Sequence, residues 1–169
     1  RYTFAAEVAK TEGYPILHDL FIYTANQEKA HAQQFMEKLK EFSGSEIEFT
    51  ASYPVEVEKS TLTLLKQAEK NESNEGKNIY IEFAKVAKEE GHGDIARMLD
   101  MIGKIEIEHE NMYKSLKHRL DSGKEHVSDE EEEWICEVCG HVHRGKKALK
   151  VCPVCKHPLE YQSRLNAKK

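Results

Sequence analysis

The chain has 169 residues, enough for one ordinary domain or for a helical bundle with a small appendage. Its composition is charged and favours helices, with four prolines and a mild net charge of -5. There is no basic patch of the kind that binds nucleic acid, and no apolar run approaches the roughly 20 residues of a membrane-spanning helix. We therefore expect neither nucleic acid nor a membrane as a partner.

Two helices are predicted at the start of the chain. Residues 1 to about 12 place Tyr2, Ala6 and Ala9 on one face, as an amphipathic helix does. The segment 13–15, Gly-Tyr-Pro, ends this helix and begins the next. The second helix is predicted to continue to about Phe42, where a Ser-Gly-Ser sequence stops it.

The next segment, 46–60, has alternating and β-branched residues and a proline, which predicts an extended connection. A third helix is predicted over about 61–90, and a fourth runs from the glycines at 91 and 93 to about Ser122. One long crossover among otherwise short loops is the ferritin-like topology of four-helix bundles. The sequence thus predicts such a bundle over residues 1–123.

Three of these helices have an apolar face that two ionisable residues interrupt near its middle. The three faces contain, in chain order, Leu17, Phe21, Thr24, Glu28, His31, Phe35 and Phe42; Leu65, Ala68, Glu72, Glu75, Ile79, Phe83 and Val86; Ile95, Leu99, Ile102, Glu106, His109, Tyr113, Leu116 and Leu120. Burying an isolated carboxylate costs several kcal/mol, so such groups persist in a core only when they are paired or bind metal. The interrupted faces therefore predict a cation site inside the bundle.

The spacing of the ionisable residues supports this prediction. Residues three apart on a helix point to the same side, so each pair offers two ligands to one point. A single pair is better explained as polar residues at the end of a bundle, but three mid-helix pairs are not. Another Glu-x-x-His pair, Glu89 and His92, lies beside glycines and off the apolar face, which predicts a solvated helix end. Many carboxylates with two imidazoles favour a dinuclear iron or manganese site with redox chemistry.

The last quarter of the chain predicts a second, smaller unit. Residues 124–133 are polar and acidic and are predicted to form a linker. Residues 134–169 contain two C-x-x-C pairs about a dozen residues apart, formed by Cys136, Cys139, Cys152 and Cys155. This spacing is a strong metal signature and favours a reducing cytoplasm over secretion. Four thiolates accept iron or zinc, and the neighbouring redox site favours iron.

The two predicted units together resemble rubrerythrins, in which a ferritin-like di-iron domain is fused to a C-terminal rubredoxin domain. The resemblance covers essentially the whole chain. It depends on the segments RYTFAAEVAKTEGY, ANQEKAHAQQF, FTASYP, NESNEGKNIYIEFAKVAKEEG, IEIEHENMYKSL and WICEVCG with CPVC.

The resemblance implies a ligand set for two irons. Glu28 and Glu106 match bridging ligands, Glu72 matches a terminal ligand, and His109 matches the histidine bound to one iron. The four cysteines would hold one further iron, or zinc in its place.

The resemblance also implies two mobile ligands and two supporting phenols. His31 and Glu75 match the alternating ligands of the other iron, which moves between them as its oxidation state changes. Tyr2 and Tyr80 match tyrosines that hydrogen-bond near the carboxylates, where they would orient ligands or carry protons.

The chain departs from the family pattern in two places. The family's first helix carries a glutamate in a segment like ESQARN, directly before the residues that match Arg1 and Tyr2, so we expect this chain to begin partway through the natural helix. Around Glu72 the family usually has aromatic residues, whereas here a glycine stands at position 76. A mid-helix glycine costs about 1 kcal/mol relative to alanine, which predicts a looser helix beside Glu75.

The function that the resemblance implies is a non-haem di-iron peroxidase in oxidative-stress defence. It would reduce hydrogen peroxide to water with electrons that an NAD(P)H-linked reductase passes through the iron centre of the four cysteines. The implied assembly is a head-to-tail homodimer or larger. The alternative is a ferritin-like iron oxidase or storage component that uses O2 and carries a zinc-ribbon interaction module. A helical scaffold with a zinc ribbon and no chemistry is a third interpretation.

Overall fold

The computed structural model describes residues 1–165, which form a helical bundle followed by a small β unit. The helices are α1 (Tyr2–Thr11), α2 (Pro15–Lys38), α3 (Thr61–Asn74), α4 (Tyr80–Glu89) and α5 (Gly93–Asp121). A π-helical segment, Glu75–Ile79, joins α3 to α4 without a break. The predicted ferritin-like architecture is confirmed, with α3 and α4 together forming the third long helix of the bundle. None of the helices in the described residues combines the length and apolarity that spanning a bilayer requires.

The ends of the helices follow local signals in the sequence. Pro15 occupies the first turn of α2, where its missing N–H has no partner to lose. The Ser60 hydroxyl caps α3 by accepting the N–H of Thr63, and the Glu12 carboxylate accepts the N–H of Thr61 at 2.6 Å. The second helix is shorter than predicted, because α2 ends at Lys38 and a 3-10 turn carries the chain to Phe42.

The connection between α2 and α3 is extended, as predicted. Residues 46–58 have no regular secondary structure and are almost all exposed. Within the described chain they are joined to the bundle by a hydrogen bond of 2.6 Å from the Asn71 amide to the Glu56 carboxylate.

Two apolar clusters lie along the bundle, and the ionisable residues fall between them. The first cluster joins α1 to parts of α2, α3 and α5 and contains Tyr2, Ala5, Ala6, Ala9, Leu17, Phe21, Leu64, Leu65, Ala68, Tyr113 and Leu116. The second joins α4 to the first half of α5 and contains Tyr80, Ala84, Ala87, Ala96, Leu99 and Ile102. The polar layer is therefore closed at both ends by packed side chains.

The π segment changes which face of α4 is buried. The sequence predicts Phe83 and Val86 on the inward face, but both are exposed, while Tyr80, Ala84 and Ala87 are buried. A π turn accommodates one residue more than an α turn, so every later side chain is displaced by one position around the helix. The predicted face of α5 has no such interruption and is buried where expected.

Gly76 lies where the π segment comes closest to α5. A Cβ at this position would be 2.8 Å from the Gly103 carbonyl oxygen and 2.8 Å from Ile107 Cδ1. The facing position on α5 is also a glycine, so the two backbones meet with no side chain between them. Gly76 therefore permits close helix packing, and the expectation of a looser helix beside Glu75 stays a prediction.

The C-terminal unit is a three-stranded antiparallel sheet in the order β2-β1-β3, with β1 at Val127–Cys136, β2 at Val142–Lys147 and β3 at Gln162–Arg164. Trp134 is fully buried beneath it and donates its indole N–H to the Gly145 carbonyl at 2.8 Å. The predicted linker over 124–133 is largely strand, because pairing with β2 gives its backbone partners while most of its acidic side chains stay in solvent. A register shift between Val127 and Glu132 interrupts that pairing.

The sheet unit also contacts the bundle. Its 3-10 turn at Leu159–Tyr161 packs against α2. The Arg164 guanidinium donates to the carbonyls of Lys124 and Val127 at 3.1 and 2.7 Å, which fixes the segment that leaves α5. The division into domains stays a prediction, and residues 166–169 of the predicted second unit lie outside the described residues.

Candidate metal centres

Four of the six predicted helical ligands form one compact group. Glu28 from α2, Glu72 from α3, and Glu106 and His109 from α5 each offer a ligand atom within 4.8 Å of all the others. Glu72, Glu106 and His109 are buried and Glu28 is partly buried. Each of these residues is held by its place between the two apolar clusters, which keeps the side chain directed into the bundle.

The other two predicted ligands lie beside this group. His31 Nδ1 is 3.2 Å from Glu106 Oε1 and 3.3 Å from Glu28 Oε2, so it faces the same oxygens. Glu75 instead pairs with Arg1 at 3.3 Å. Glu89 and His92 are both exposed and outside the group, as the sequence predicts for a solvated helix end.

The protonation of the group follows from crowding carboxylates in a buried place. Hydrogen bonds to Glu106 and Glu28 raise the pKa of His31 to about 9. Burial lowers the pKa of His109, but hydrogen bonds to Glu106, Glu28 and Glu72 outweigh it and raise that pKa to about 11. Two imidazolium rings thus balance the carboxylates when no metal is bound.

The carboxylates respond in opposite directions. Burial raises the pKa of Glu106, but hydrogen bonds from His109 and His31 lower it to about 2. Burial raises the pKa of Glu72 to about 7, against the hydrogen bond from His109. Burial also raises the pKa of Glu75, against the attraction of Arg1 and with the repulsion of Glu28 and Glu106. The last two charges show that Glu75 lies within electrostatic reach of the group.

The donor set fits a pair of hard metal ions. Both oxygens of Glu106, and Oε1 of Glu28, are buried. Imidazole nitrogens of His31 and His109 lie 2.8–3.4 Å from them, close enough to shift the pKa values, but no contact has the geometry of a full hydrogen bond among the described residues. Buried oxygens normally have partners, and an unpaired one costs about 1–3 kcal/mol or more when charged. Bridging carboxylates with imidazoles are the ligands of dinuclear iron sites in helical bundles.

The two predicted tyrosines differ in their contacts. The Tyr2 hydroxyl donates a hydrogen bond to Glu72, and its ring stacks on Tyr113 with centroids 5.5 Å apart. Tyr80 is buried and stacks on Phe35, but its hydroxyl makes no hydrogen bond within the described residues. Burial and then the charge of Glu106 raise the pKa of Tyr80. Tyr2 therefore contacts a ligand directly, whereas Tyr80 adjoins the group.

Gln27 is a contributor that the sequence analysis did not find. Its Oε1 is 2.9 Å from Nε2 of His109, and its Nε2 donates to the Tyr23 hydroxyl at 3.0 Å. In this orientation of the amide, Oε1 accepts the Nε2–H of His109, and the ring turns Nδ1 toward the carboxylates. A metal-binding histidine commonly has such a partner on its other nitrogen. The only sequence signal is that Gln27 precedes Glu28.

The four cysteines form the second centre. Cys136 Sγ is 3.5 Å from Cys155 Sγ, and Cys139 Sγ is 3.6 Å from Cys152 Sγ. These distances exclude disulfides and approach the roughly 3.8 Å that separates sulfurs around a tetrahedral ion with metal–sulfur bonds of about 2.3 Å. Backbone N–H groups of Cys155 and then Val154 help lower the pKa of Cys152 to about 6. Four sulfurs converging in this way fit iron or zinc.

Fold and sites together define a ferritin-like bundle with a carboxylate–histidine di-iron site, joined to a rubredoxin-like unit with a four-cysteine site. Two family models match the chain: Rubrerythrin over residues 1–117 and the rubredoxin-like domain of rubrerythrin over residues 134–161. The chain belongs to the rubrerythrin family. This membership supports an iron protein with oxidoreductase chemistry.

Individual relatives agree with the family models. The chain is 42% identical to a rubrerythrin of Porphyromonas gingivalis, over 95% of this chain and 79% of the relative. It is 40% identical to a rubrerythrin of Clostridium perfringens, over 95% of this chain and 83% of the relative. The solved structure of a nigerythrin in its fully reduced, all-ferrous state matches with a TM-score of 0.62 at 24% identity, over 96% of this chain and 77% of that one. This last similarity supports the fold.

Proposed function

We propose that this protein is a non-haem di-iron peroxidase that reduces hydrogen peroxide to water, with electrons from an NAD(P)H-linked reductase that enter through the four-cysteine centre. The observation that carries the proposal is the presence in one chain of a buried carboxylate–histidine group and a four-sulfur site. The first suits two hard cations with open positions, and the second suits a one-electron carrier. The four cysteines are free, which suits a reducing cytoplasm.

The proposed ligands divide into fixed and mobile sets. Glu28, Glu72, Glu106 and His109 would hold the metals in every state, since they already converge. His31 and Glu75 would exchange at one metal. Their positions support this exchange, because His31 faces the shared oxygens while Glu75, at the start of the π segment, pairs with Arg1.

Iron at the helical site would supply the two electrons that, with two protons, convert one hydrogen peroxide into two waters. The chain's own residues provide the rest. The apolar clusters on either side exclude bulk water, and Tyr2 holds the carboxylate of Glu72. The Tyr80 hydroxyl has no hydrogen-bond partner in the described residues and adjoins the group, where it would help to relay a proton.

The four-cysteine unit would deliver its electrons across a subunit interface. In its own chain the unit follows the end of α5. That end, Asp121, is twelve residues after His109 and so roughly 18 Å from it along the helix. A head-to-tail homodimer or larger assembly would place the four-cysteine unit of one subunit beside the helical site of another.

The proposal is tested by the double substitution Glu28→Ala with Glu106→Ala, compared with Glu89→Ala with His92→Ala as a matched control at the exposed pair. We expect the first variant to lose metal at the helical site and to lose peroxide consumption by dithionite-reduced protein, while the absorption of the cysteine-bound iron remains. The control should keep both. Metal analysis and an absorption spectrum under anaerobic conditions provide the measurements.

Two outcomes would contradict the proposal. Peroxide consumption that survives the Glu28 and Glu106 substitutions would place the chemistry elsewhere. Zinc at the cysteines together with O2-driven iron oxidation would favour the alternative of an iron oxidase or storage component with a zinc-ribbon module.

A further inference from the structure

The charges of this chain are distributed unevenly between its two units. From Trp134 onward the sequence contains eight of the 25 Lys and Arg residues but only two of the 30 Asp and Glu residues. The rest of the chain therefore carries the negative charge, and the four-cysteine unit is distinctly basic. Such an asymmetry governs which charged partners approach each unit and how fast.

Exposed valines lie beside the cysteines of this unit, either next to them in the chain or, for Val142, paired with the residue before Cys136. We call them the valine patch, which consists of Val138, Val142, Val151 and Val154, each between 43% and 65% exposed. Val138 and Val154 lie inside the two C-x-x-C pairs, and Cys139 is itself exposed. A partner that covers the valine patch would come within contact distance of a metal ligand.

Lysines border the patch. Lys150 directly precedes Val151, and Lys156 directly follows Cys155, with its Nζ on the Pro153 carbonyl at 2.8 Å. Both are exposed, and neither has an ion-pair partner among residues 1–165. These two charges remain available to a partner.

The unit from Trp134 onward has two acidic residues. Glu137 accepts a hydrogen bond from Ser163 on β3, and Glu160 lines a small cavity against the start of α2. On β2, Arg144 is paired with Glu131 of β1 at 3.5 Å. Lys150 and Lys156 at the valine patch, like Lys146 and Lys147 on β2, therefore have no ion-pair partner among residues 1–165.

We propose that the valine patch with Lys150 and Lys156 is the docking surface for an acidic one-electron donor protein. This inference rests on the proposed function, because it assumes that the cysteines hold iron. In each encounter the reduced donor would lose one electron and the ferric four-cysteine centre would gain it, becoming ferrous. Apolar contact would bring the two redox groups close, and the lysines would select and orient an acidic partner.

The size of the patch favours a transient donor over a second copy of this chain. A stable complex buries about 800 Å² on each partner, and four partly exposed valines with a lysine border provide much less. Electron-transfer encounters occupy the small end of the range of interface sizes. A small contact with charge steering gives fast association and fast release, which repeated one-electron delivery needs.

The test uses the full chain and flavodoxin, an acidic one-electron flavoprotein, as the probe. Titration of isotope-labelled flavodoxin by NMR should show binding at low ionic strength that is lost at roughly 0.5 M salt, where charges are screened within a few ångströms. Lys150→Glu with Lys156→Glu should weaken binding, and slow reduction of the four-cysteine centre by flavodoxin hydroquinone, by about tenfold or more at low salt. Lys85→Glu with Lys88→Glu on α4 is the control with the same change of charge and should bind as the wild type does.

A second variant, Val154→Gln, keeps the charge and tests the apolar part; it should also weaken binding. An unchanged absorption spectrum of the cysteine-bound iron and unchanged reduction by dithionite would show that the variants are folded. The proposal is overturned if flavodoxin does not bind, if the Lys150 and Lys156 variant binds like the wild type, or if copies of this chain occupy the patch and flavodoxin does not displace them. Peroxide consumption by dithionite-reduced wild type is measured separately, so a failure of the peroxidase proposal is distinguishable from a failure of docking.

Discussion

The two metal centres of this chain are held in place in opposite ways. The helical site lies between two apolar clusters that pack without its help, and its charges balance internally through His31 and His109. The four-cysteine unit has few buried apolar residues, with Trp134 and Ala148 the main ones apart from the cysteines in the described chain. A unit of this size needs a metal or a disulfide to stay folded.

The difference shows what each metal contributes. At the cysteines, metal binding contributes directly to folding. In the bundle, metal replaces protons in a site that is already built.

The largest expected effect is the loss of the four-cysteine unit when its metal is removed. Structural zinc sites contribute about 10–16 kcal/mol of apparent binding free energy, more than a unit of this size supplies by packing. A chelator that strips the cysteines should unfold residues after about 125 and leave the helices intact. Limited proteolysis should then release a helical fragment, whereas removal of metal from the helical site alone should leave the whole chain resistant. A protease-resistant, metal-free four-cysteine unit would contradict the contrast between the two centres.

The second prediction concerns pH. On the proposed ligand set, metal would bind the neutral ring of His109, and that of His31 in the state in which His31 is a ligand; their pKa values are raised to about 11 and about 9 in the metal-free protein. Below those values metal must displace a proton from each ring that it binds, so apparent affinity should fall about tenfold per displaced proton for each pH unit of acidification. Calorimetric titration in buffers of different ionisation enthalpy would count the protons, and heats independent of the buffer would contradict the assignment.

The raised pKa values of His31 and His109 also determine how the stability of the metal-free bundle changes with pH. Both rings have raised pKa values, so the stabilisation that they give the metal-free bundle is full below their ordinary pKa of 6.5. It is lost as the pH rises through about 9 and then about 11. Denaturant unfolding of metal-free protein at about pH 6 and about pH 10 should show lower stability at the higher pH.

The third prediction concerns the amide that orients His109. Gln27→Leu removes the acceptor at 2.9 Å from Nε2 and should weaken metal binding at the helical site by about 10–100-fold. Gln34→Leu, at an exposed position of the same helix, is the matched control. The absorption of the loaded site should shift in the first variant only. Equal affinities in the two variants would mean that the ring is held by the carboxylates alone.

The smallest expected effect is on helix packing. Gly76→Ala places a methyl group 2.8 Å from the Gly103 carbonyl and should destabilise the bundle by about 1–3 kcal/mol. Gly93→Ala, where the nearest neighbour would be 3.9 Å away, should have little effect or stabilise slightly. Thermal unfolding of both variants provides the comparison, and equal melting temperatures would show that the close approach is not rigid.

The part of this structure that could be predicted is the part with unbroken periodicity. The face of α5 follows from spacing over a single uninterrupted helix, and Glu106 and His109 lie where expected. Glu28 and Glu72 also converge as predicted, because each is flanked by residues that the core needs.

The rest depends on information that spacing does not contain. A π segment has no distinct signal in one sequence, so spacing alone places the buried face of α4 one position away from where it lies. From the sequence, Gly76 indicates only a loss of helix stability. Its close approach to Gly103 on α5 becomes visible only in the structure. The side-chain oxygen of Gln27, on α2, accepts a hydrogen bond from His109 on α5, and spacing along one helix cannot predict a contact with another. The strand over 127–136 is hard to predict because acidic residues suit both a linker and a solvent-facing strand.

The π segment also has a consequence for how this helix tolerates changes in length. It amounts to one extra residue inserted into an α-helix, and it begins at Glu75, whose carboxylate pairs with Arg1. Deleting one residue from it would restore an ordinary spiral and turn everything downstream by about 100°. Tyr80 would turn outward, Phe83 and Val86 would turn inward, and an evolving lineage would lose the stacking of Tyr80 on Phe35 beside the ligand group in a single step.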